Sequence, residues 1–294
     1  MKPTLFLGLM KIISLLPLGV ARFFGRVMGM LMVTFSTKSF KVALRNLSLC
    51  FSSQSQLSNQ KLAHKRMAHL GQTFFETPIL WRKSLQWLQK SIVSVEGEAY
   101  LQEALANDRG TILLMPHQGN WEVLNLWLAQ QTPITSLYQP LKMAVLGKWI
   151  KKSREKTGAR LVPTNVRGVA ALLKALNAGE TVFILPDQQP PRSSGAFAPF
   201  FSVQALTMTL THSLLSRSDS QALFCTALRD KNGWRLCFFP ADQAIYSADQ
   251  AVSLSAMNAG IESIVAMAPE QYQWEYKRFR AQPEGSPVVY GSGM

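Results

Sequence analysis

The chain has 294 residues and carries 31 lysines and arginines against 17 aspartates and glutamates, a formal net charge of +14. Apolar residues make up 47% of it, and basic charge without a recognisable nucleic-acid motif favours an anionic membrane surface as partner. Three cysteines exclude a disulfide framework, and the four histidines show no metal-ligand spacing. The composition therefore predicts membrane and acidic partners, with no nucleic acid and no metal.

The first segment of the chain is strongly apolar. Residues 3–34 contain three charged side chains, Lys11, Arg22 and Arg26. A single span over Pro3–Ala21 has the length to cross a bilayer, but it would bury a lysine and be kinked by Pro17. The alternative, which we favour, is two amphipathic helices in the interface with the three cations at the headgroups. We assign residues 1–37 to a hydrophobic membrane-associated arm.

Residues 38–92 show a rough helical stripe of apolar side chains. Gly71 and Glu76 lie on a Phe-rich part of it, which we expect to pack near the functional site. His64 and His69 are expected at the surface. Basic residues dominate the segment, and the positive-inside rule then places the body of the protein on the cytoplasmic side.

Strand-length apolar runs alternate with helical patterns from residue 93 onward. The predicted strands are Ser91–Val95, Thr111–Met115, Ile134–Tyr138, Arg160–Pro163, Thr181–Leu185, Ala222–Leu228 and Trp234–Phe239. The predicted helices are Trp121–Gln131, Met143–Lys156, Val166–Asn177, Ala205–Ser216 and Val252–Met267. This alternation predicts an α/β domain over residues 38–282, with a largely parallel sheet flanked by helices. Residues 283–294, rich in Gly, Ser and Pro, are expected to form a loose tail.

His117 directly follows a predicted strand and precedes a turn and a helix. Gly119 permits the turn, Asn120 is a good N-cap, and the helix then begins at Trp121. The turn could bring Glu122 to the imidazole, where a carboxylate fixes the tautomer and stabilises the imidazolium. A neutral imidazole can take a proton from a hydroxyl near pH 7, and a helix N-terminus beside it can bind an oxyanion.

That arrangement suits acyl transfer to an alcohol, with His117 and Glu122 as the catalytic candidates. A core histidine that caps the next turn is the alternative interpretation. Asp187 follows a second strand, and ligands in parallel sheets bind at the carboxyl ends of strands, so we expect it in one cleft with His117. An N-cap or turn aspartate is the alternative there.

Four blocks of the sequence, in order, resemble the bacterial lipid A biosynthesis acyltransferases, the late lauroyl and myristoyl transferases. They are Arg45-Asn46-Leu47 with Cys50-Phe51, then His117-Gln118-Gly119-Asn120-Trp121-Glu122, then Pro186-Asp187-Gln188 with Gly195 and Ala198–Phe201, then Pro269–Trp274 with Lys277-Arg278-Phe279. The second block matches the HxxxxE motif of the family. Because the blocks span most of the chain, the resemblance is specific.

The resemblance implies which residues meet the substrate. A family arginine on the helix before a Gly-containing turn maps to Arg154, before Gly158, and a less secure basic position maps to Arg167. With Asn120 and Asp187 they are the candidate substrate-binding residues, and forked guanidinium groups suit phosphate. Surface charge is the alternative for either arginine.

The implied reaction moves a fatty acyl chain from acyl carrier protein to a hydroxyl of an anionic glycolipid, a lipid A precursor. It would take place on the cytoplasmic face of the bacterial inner membrane without cofactor or metal. The basic face of the helix around Lys151 is a candidate contact for the carrier or for headgroups. The alternatives are the same chemistry on a lysophospholipid, aminolipid or other glycolipid, and a non-catalytic membrane-binding relative.

Overall fold

The computed structural model of the protein describes residues 3–139 and 143–294. The first two residues of the predicted arm therefore lie outside the described residues. Within these residues, five helices precede the first strand: α1 (Pro3–Ile13), α2 (Leu18–Thr34), α3 (Lys38–Cys50), α4 (Gln56–Arg82) and α5 (Leu85–Lys90). The predicted helical character of residues 38–92 is confirmed.

Strands and helices then alternate along the chain. They are β1 (Ile92–Glu96), α6 (Glu98–Ala106), β2 (Thr111–Leu114), α7 (Trp121–Leu128), β3 (Ile134–Tyr138), α8 (Ala144–Glu155), β4 (Arg160–Pro163), α9 (Val166–Asn177), β5 (Thr181–Ile184), β6 (Gly195–Phe200), β7 (Val203–Met208), α10 (Leu210–Leu215), β8 (Gln221–Asp230), β9 (Gly233–Pro240) and α11 (Gln250–Met267). Short 3₁₀ turns lie at Arg192–Ser194, Gln243–Tyr246 and Pro269–Gln271.

A seven-stranded sheet forms the centre of the molecule, in the order β1-β9-β8-β2-β5-β3-β4. Its pairings are parallel except for the antiparallel hairpin of β8 and β9. The predicted α/β class with a largely parallel sheet is confirmed. The order matters for function because β2 and β5, far apart in sequence, lie side by side.

The central strands are buried on both faces, as parallel strands between helix layers must be. Ile112 and Leu114 face one core, shared with α3, α4, α9 and α11. Leu113 and Met115 face the other, shared with α5, α6 and α7. This double burial explains why β2 appears in the sequence as an uninterrupted apolar run rather than an alternating one.

Two N-terminal helices replace the continuous span that Pro3–Ala21 would have formed. Among the described residues, no single helix has both the length and the apolar character to cross a bilayer, and only α2 with α3 meets both criteria, as a pair bent by 80°. Helix α2 packs closely on α4, where Gly25 lies against the backbone of Gly71 and Gln72. A side chain at Gly25 would collide with that backbone, so α2 is part of the folded body. The arm boundary at residue 37 stays a prediction.

The prediction of a helix over Ala205–Ser216 is wrong in its first half. Strands β6 and β7 form a separate two-stranded hairpin, and only Leu210–Leu215 is helical. The connecting residues Phe201 and Ser202 have φ of 48° and 62°, the left-handed values that a two-residue hairpin turn requires. Neither residue is Gly or Asn, so the usual turn signal was missing from the sequence.

The tail from residue 283 has no helix or strand, yet part of it packs on the body. The Tyr290 hydroxyl donates to Asn46 Oδ1 at 2.7 Å and accepts from the Phe279 backbone N–H. Lys277 donates to the backbone carbonyl of Met294. These contacts join the early and late sequence blocks, and the tail boundary itself stays a prediction.

Candidate functional site

His117 and Asp187 meet at the carboxyl edge of the sheet, just beyond β2 and β5. The His117 backbone N–H donates to Asp187 Oδ2 at 2.8 Å, and the ring Nδ1 lies 2.7 Å from Asp187 Oδ1. The structure brings the two residues together at the strand ends, as expected, with Asp187 buried. The cause is the register of β2 and β5, which pairs Leu114 with Ile184 and so brings both strand ends to one level.

The imidazole is held in one tautomer. Burial alone would raise the pKa of Asp187, but the charge and hydrogen bonds of His117 outweigh it and hold that pKa below its ordinary value. An ionised Asp187 accepts hydrogen bonds only, so Nδ1 carries the proton and donates to it. The other ring nitrogen, Nε2, then has a free lone pair. The side-chain amide of Gln188 donates a hydrogen bond to this lone pair, with 3.2 Å between Gln188 Nε2 and His117 Nε2.

Glu122 does not contact the imidazole, so the expected pairing of His117 with Glu122 is replaced by His117 with Asp187. Glu122 instead binds the guanidinium of Arg154, with Oε1 2.6 Å from Nη2. Both lie beside Trp121, whose ring centroid is 4.5 Å from Arg154 Cζ. Glu122 is the second residue of α7, which starts only after the chain has turned at Gly119. Its carboxylate therefore meets Arg154 on α8 and not the imidazole near the end of β5.

The turn itself has the geometry that the sequence predicted. Gly119 has φ 62°, and a Cβ there would collide with the carbonyl oxygen of Ala227. Helix α7 begins at Trp121 with Asn120 at the N-cap, as expected. The Asn120 side chain, however, makes no capping hydrogen bond. Its amide instead donates to the buried carboxylate of Glu76, with 3.2 Å between Nδ2 and Oε2, so Asn120 supports the turn.

A buried ion cluster around Glu76 lies behind the turn. Glu76 is fully buried and binds Arg22 at 2.6 Å and Arg229 at 2.8 Å. Burial would raise the pKa of Glu76, but the two arginines hold it below its ordinary value. The expectation that Glu76 packs near the site is confirmed. The expectation that Arg22 faces lipid headgroups is wrong, because a carboxylate buried at this depth needs a cation as partner.

His69 also belongs to this cluster, which corrects its expected surface position. Its Nδ1 lies 2.7 Å from Arg229 Nη1. Burial, and then the charge of Arg229, lower the pKa of His69 to about 3. The imidazole is therefore neutral and accepts the hydrogen bond of the arginine.

The C-terminal sequence block holds the turn that carries His117 from its other side. The His117 carbonyl accepts from the Gln273 N–H, and the Gly119 N–H donates to the Gln271 carbonyl, both at 3.0 Å. Asn46 of the early block in turn donates to the carbonyls of Trp274 and Tyr276. The first, second and fourth blocks are thus linked in series, by backbone–backbone bonds at the His117 turn and by the side chain of Asn46. Sequence reasoning had no means of pairing these segments.

A cavity of about 330 Å³ opens in front of the imidazole. Its polar lining includes His117, Arg154 and Gln188, and its apolar lining includes Leu161 and Phe183. The volume is at the lower end of the usual range for ligand pockets, which fits one chain rather than a whole lipid. Arg167, by contrast, is exposed at the start of α9 and is not part of the lining. Its assignment to substrate binding stays a prediction.

The described residues contain no cluster of three or more His, Cys, Asp or Glu side chains that would hold a metal ion. His117 and Asp187 are a pair, and Glu122 is neutralised by Arg154. The groups that this site presents to the largely apolar cavity include the imidazole of His117 and the guanidinium of Arg154.

Comparison with known proteins identifies the family of the chain. The family model described as bacterial lipid A biosynthesis acyltransferase matches residues 3–281. The chain belongs to this family, and it is an acyltransferase of lipid A biosynthesis. It is 28% identical over 293 residues to the lipid A biosynthesis palmitoleoyltransferase of Escherichia coli K12, covering 97% of this chain and 92% of that protein.

Two further relatives come from the same organism. The lipid A biosynthesis lauroyltransferase is 27% identical to this chain over 292 residues, which cover 97% of this chain and 93% of that protein. The lipid A biosynthesis myristoyltransferase is 23% identical to this chain over 252 residues, which cover 84% of this chain and 77% of that protein. The family resemblance seen in the four sequence blocks is confirmed.

Replacement of Glu76 by glutamine tests the buried ion cluster. We expect Glu76→Gln to lower the free energy of unfolding near neutral pH by about 3–5 kcal/mol, because Arg22 and Arg229 lose their charge partner. The folded-state pKa of Glu76 is depressed, so its stabilisation is complete above the unfolded-state pKa of about 4.3 and is lost as the pH falls below it. Urea unfolding as a function of pH measures both effects.

The matched control is Glu96→Gln, which breaks the exposed pair with Arg235. It should cost no more than about 1 kcal/mol. Two results would contradict the assignment of the cluster. One is an equal loss of unfolding free energy in the two variants, and the other is a fall in the stability of Glu76→Gln at acidic pH as large as that of the wild type.

Proposed function

We propose that the protein transfers a fatty acyl chain from acyl carrier protein to a hydroxyl of a lipid A precursor, with His117 as the general base. One observation carries the proposal. The imidazole presents the unprotonated Nε2 to a largely apolar cavity while Asp187 accepts from Nδ1. An imidazole held in this way can deprotonate an alcohol near neutral pH.

The proton moves in a closed cycle. His117 Nε2 takes the hydroxyl proton as the acceptor oxygen attacks the thioester carbonyl carbon, and the carbonyl electron pair moves to its oxygen. The tetrahedral intermediate then re-forms the carbonyl and expels the thiolate, which takes the proton back from Nε2. The products are an ester and a free thiol. Asp187 stabilises the imidazolium between the two steps.

Arg154 is the proposed contact for an acidic group of the acceptor. Its Nε and Nη2 are bound to Glu122, and among the described residues none accepts from its Nη1. Glu122 and the Trp121 ring fix the guanidinium plane beside the cavity. Glu122 thus acts through Arg154, as a positioning residue, and its place in the HxxxxE block is accounted for by that role.

The surface beside the cavity supports a membrane location, which we propose to be the cytoplasmic face of the inner membrane. We call the membrane face the exposed apolar side chains of α1, of α2 and of the residues that directly follow each helix. Its members are Leu5, Leu9, Ile12, Leu15, Val20, Phe23, Phe24, Met30, Leu31 and Phe35. Helix α1 packs on α8, the helix that carries Arg154, so a lipid acceptor in the interface has a short path to the base.

A group of cations on α8 supports an acidic carrier as donor. We call the exposed side chains of Lys148, Lys151 and Lys152 the lysine face. Lys156, next along the helix, instead donates to three carbonyls at the end of α4 and is structural. The lysine face and Arg154 share one helix, so a carrier docked on it would deliver its thioester beside the cavity.

The reaction and its base are tested by weighing the lipid products formed from acyl-loaded carrier protein and a tetra-acyl lipid A precursor. We expect one added acyl chain, and we expect His117→Ala and Asp187→Asn each to lower kcat by about 10²–10⁴-fold. The asparagine amide can donate to Nδ1 and so hold the wrong tautomer. His64→Ala and Asp108→Asn, at exposed positions, serve as controls.

Near wild-type turnover in His117→Ala would show that another group is the base. Acylation of a lysophospholipid supplied in parallel, without acylation of the precursor, would keep the mechanism and change the acceptor. A folded protein that acylates neither would contradict the proposed substrate class.

Reversal of charge on the lysine face tests the donor. Lys148→Glu, Lys151→Glu and Lys152→Glu together should raise KM for the acyl carrier protein about tenfold or more, since 1.4 kcal/mol of lost attraction is tenfold. KM for a small acyl thioester without the protein should not change. The same three charge changes at the exposed lysines Lys90, Lys174 and Lys231 are the control. An equal rise in KM for both donors would rule out protein docking at this face.

The membrane face is tested by flotation with anionic lipid vesicles. Leu15 and Phe35 are 60% and 75% exposed, and burial of each in lipid is worth about 1.5–3 kcal/mol. Leu15→Glu with Phe35→Glu should therefore weaken vesicle binding at least about tenfold, with little change in Tm. Val166→Glu, at an apolar side chain that is 85% exposed on α9, is the control. Unchanged binding in the double variant would place the contact elsewhere.

A further inference from the structure

Gln188 occupies the position from which a hydroxyl has to approach the base. Its Nε2 donates to His117 Nε2 at 3.2 Å and to Gln273 Oε1 at 3.0 Å. The side chain is half-buried and lines the cavity. An acceptor hydroxyl that donates to the same lone pair must therefore displace the amide group of Gln188.

The orientation of this amide follows from the charge of Asp187. Since the ionised carboxylate requires the proton on Nδ1, Nε2 can only accept, and the group facing it must be the N–H side of the amide. The second N–H of Gln188 is bound by Gln273, which also binds the His117 carbonyl through its backbone. Gln188 is thus tethered within reach of the reacting atoms when its contact with His117 is broken.

Most other donors around His117 are already used. The backbone N–H groups of residues 117–120 donate to Asp187 Oδ2 and to the carbonyls of Pro116, Gln271 and Ala227. Arg154 directs Nε and Nη2 at Glu122. Gln188 differs from these, because arrival of the acceptor frees one of its N–H bonds at the moment when negative charge develops next to it.

We propose that Gln188 is a further catalytic residue, which donates a hydrogen bond to the oxyanion of the tetrahedral intermediate. The inference rests on the proposed function. In the free enzyme the amide holds the base lone pair. When the acceptor oxygen attacks the thioester carbon and its proton passes to His117 Nε2, the carbonyl electron pair moves to oxygen, and the freed N–H binds that oxygen. Collapse of the intermediate releases the thiolate, and the N–H returns to Nε2.

The first variant removes the donor and keeps the size of the side chain. We expect Gln188→Leu to lower kcat by about 10²–10³-fold, the usual loss for one oxyanion donor, with little change in KM for either substrate. The matched control is Gln189→Leu. Gln189 accepts from the Ala281 N–H on the far side of the loop, so its loss affects stability and leaves kcat near the wild-type value.

The second variant adds a readout that a purely structural role would not move. Gln188→Glu removes the donor and puts a carboxylate beside His117. We expect the same fall in kcat, and we expect the acidic limb of the kcat/KM profile to move to higher pH, because the carboxylate stabilises the protonated imidazole. Gln273→Leu, which releases the tether, should lower kcat by a smaller factor without moving that limb.

Two results would overturn the inference while leaving the proposed function intact. One is an active wild type with kcat unchanged or kcat/KM raised in Gln188→Leu, which would make the amide only an occupant of the free site. The other is a Gln188→Glu variant with a lowered Tm, in which kcat and KM change together and the acidic limb of the kcat/KM profile does not move. Such a result would indicate a purely structural role. Absence of acyl transfer by the wild type would overturn the proposed function, and this inference with it.

Discussion

The site depends on one topological constraint, that β2 and β5 are neighbours in a parallel sheet. Parallel neighbours end at the same edge, so the residues that follow them meet there. His117 and Asp187 are 70 residues apart in the chain and 2.7 Å apart between Nδ1 and Oδ1. This contact sets the tautomer of the imidazole and leaves its other ring nitrogen at the cavity, and it results from the strand order and not from any local stretch of sequence.

The two carboxylates of the site are kept apart by different partners. Asp187 accepts from the imidazole, and Glu122 holds the guanidinium of Arg154. A charged pair in a mostly buried setting is strong only when its hydrogen bonds are satisfied, and each of these carboxylates has a dedicated donor. The arrangement leaves one imidazole and one oriented guanidinium facing the same cavity, and the proposed function assigns the base and the acceptor contact to these two groups.

The parts of the chain that are farthest apart in sequence together stabilise the turn that carries His117. Helix α2 contributes Arg22 to the cluster under Asn120, and the C-terminal block binds the backbone on either side of Gly119. Helix α2 also carries many of the exposed apolar side chains that we propose to face the membrane. The apolar N-terminal segment thus presents apolar side chains to the outside on one side and a buried cation to the body on the other.

The sequence by itself determined the α/β class, the bounds of β3, β4 and α9, and the position of His117 between a strand and a Gly turn. Local periodicity and turn chemistry decide these features. It also placed Asp187 at a strand end, so the common cleft was predictable. The hairpin over residues 195–208 was not, because its turn residues carry no turn signal.

Only the tertiary structure decided which carboxylate contacts the imidazole of His117. Glu122 is five residues from His117 and looked like its partner, whereas the strand order gives that place to Asp187 and turns Glu122 towards Arg154. The same holds for Arg22, a headgroup cation by local pattern and a buried partner of Glu76 in the fold. Such pairings depend on which elements become neighbours across the sheet and helix layers, and that information is not contained in any local stretch of residues.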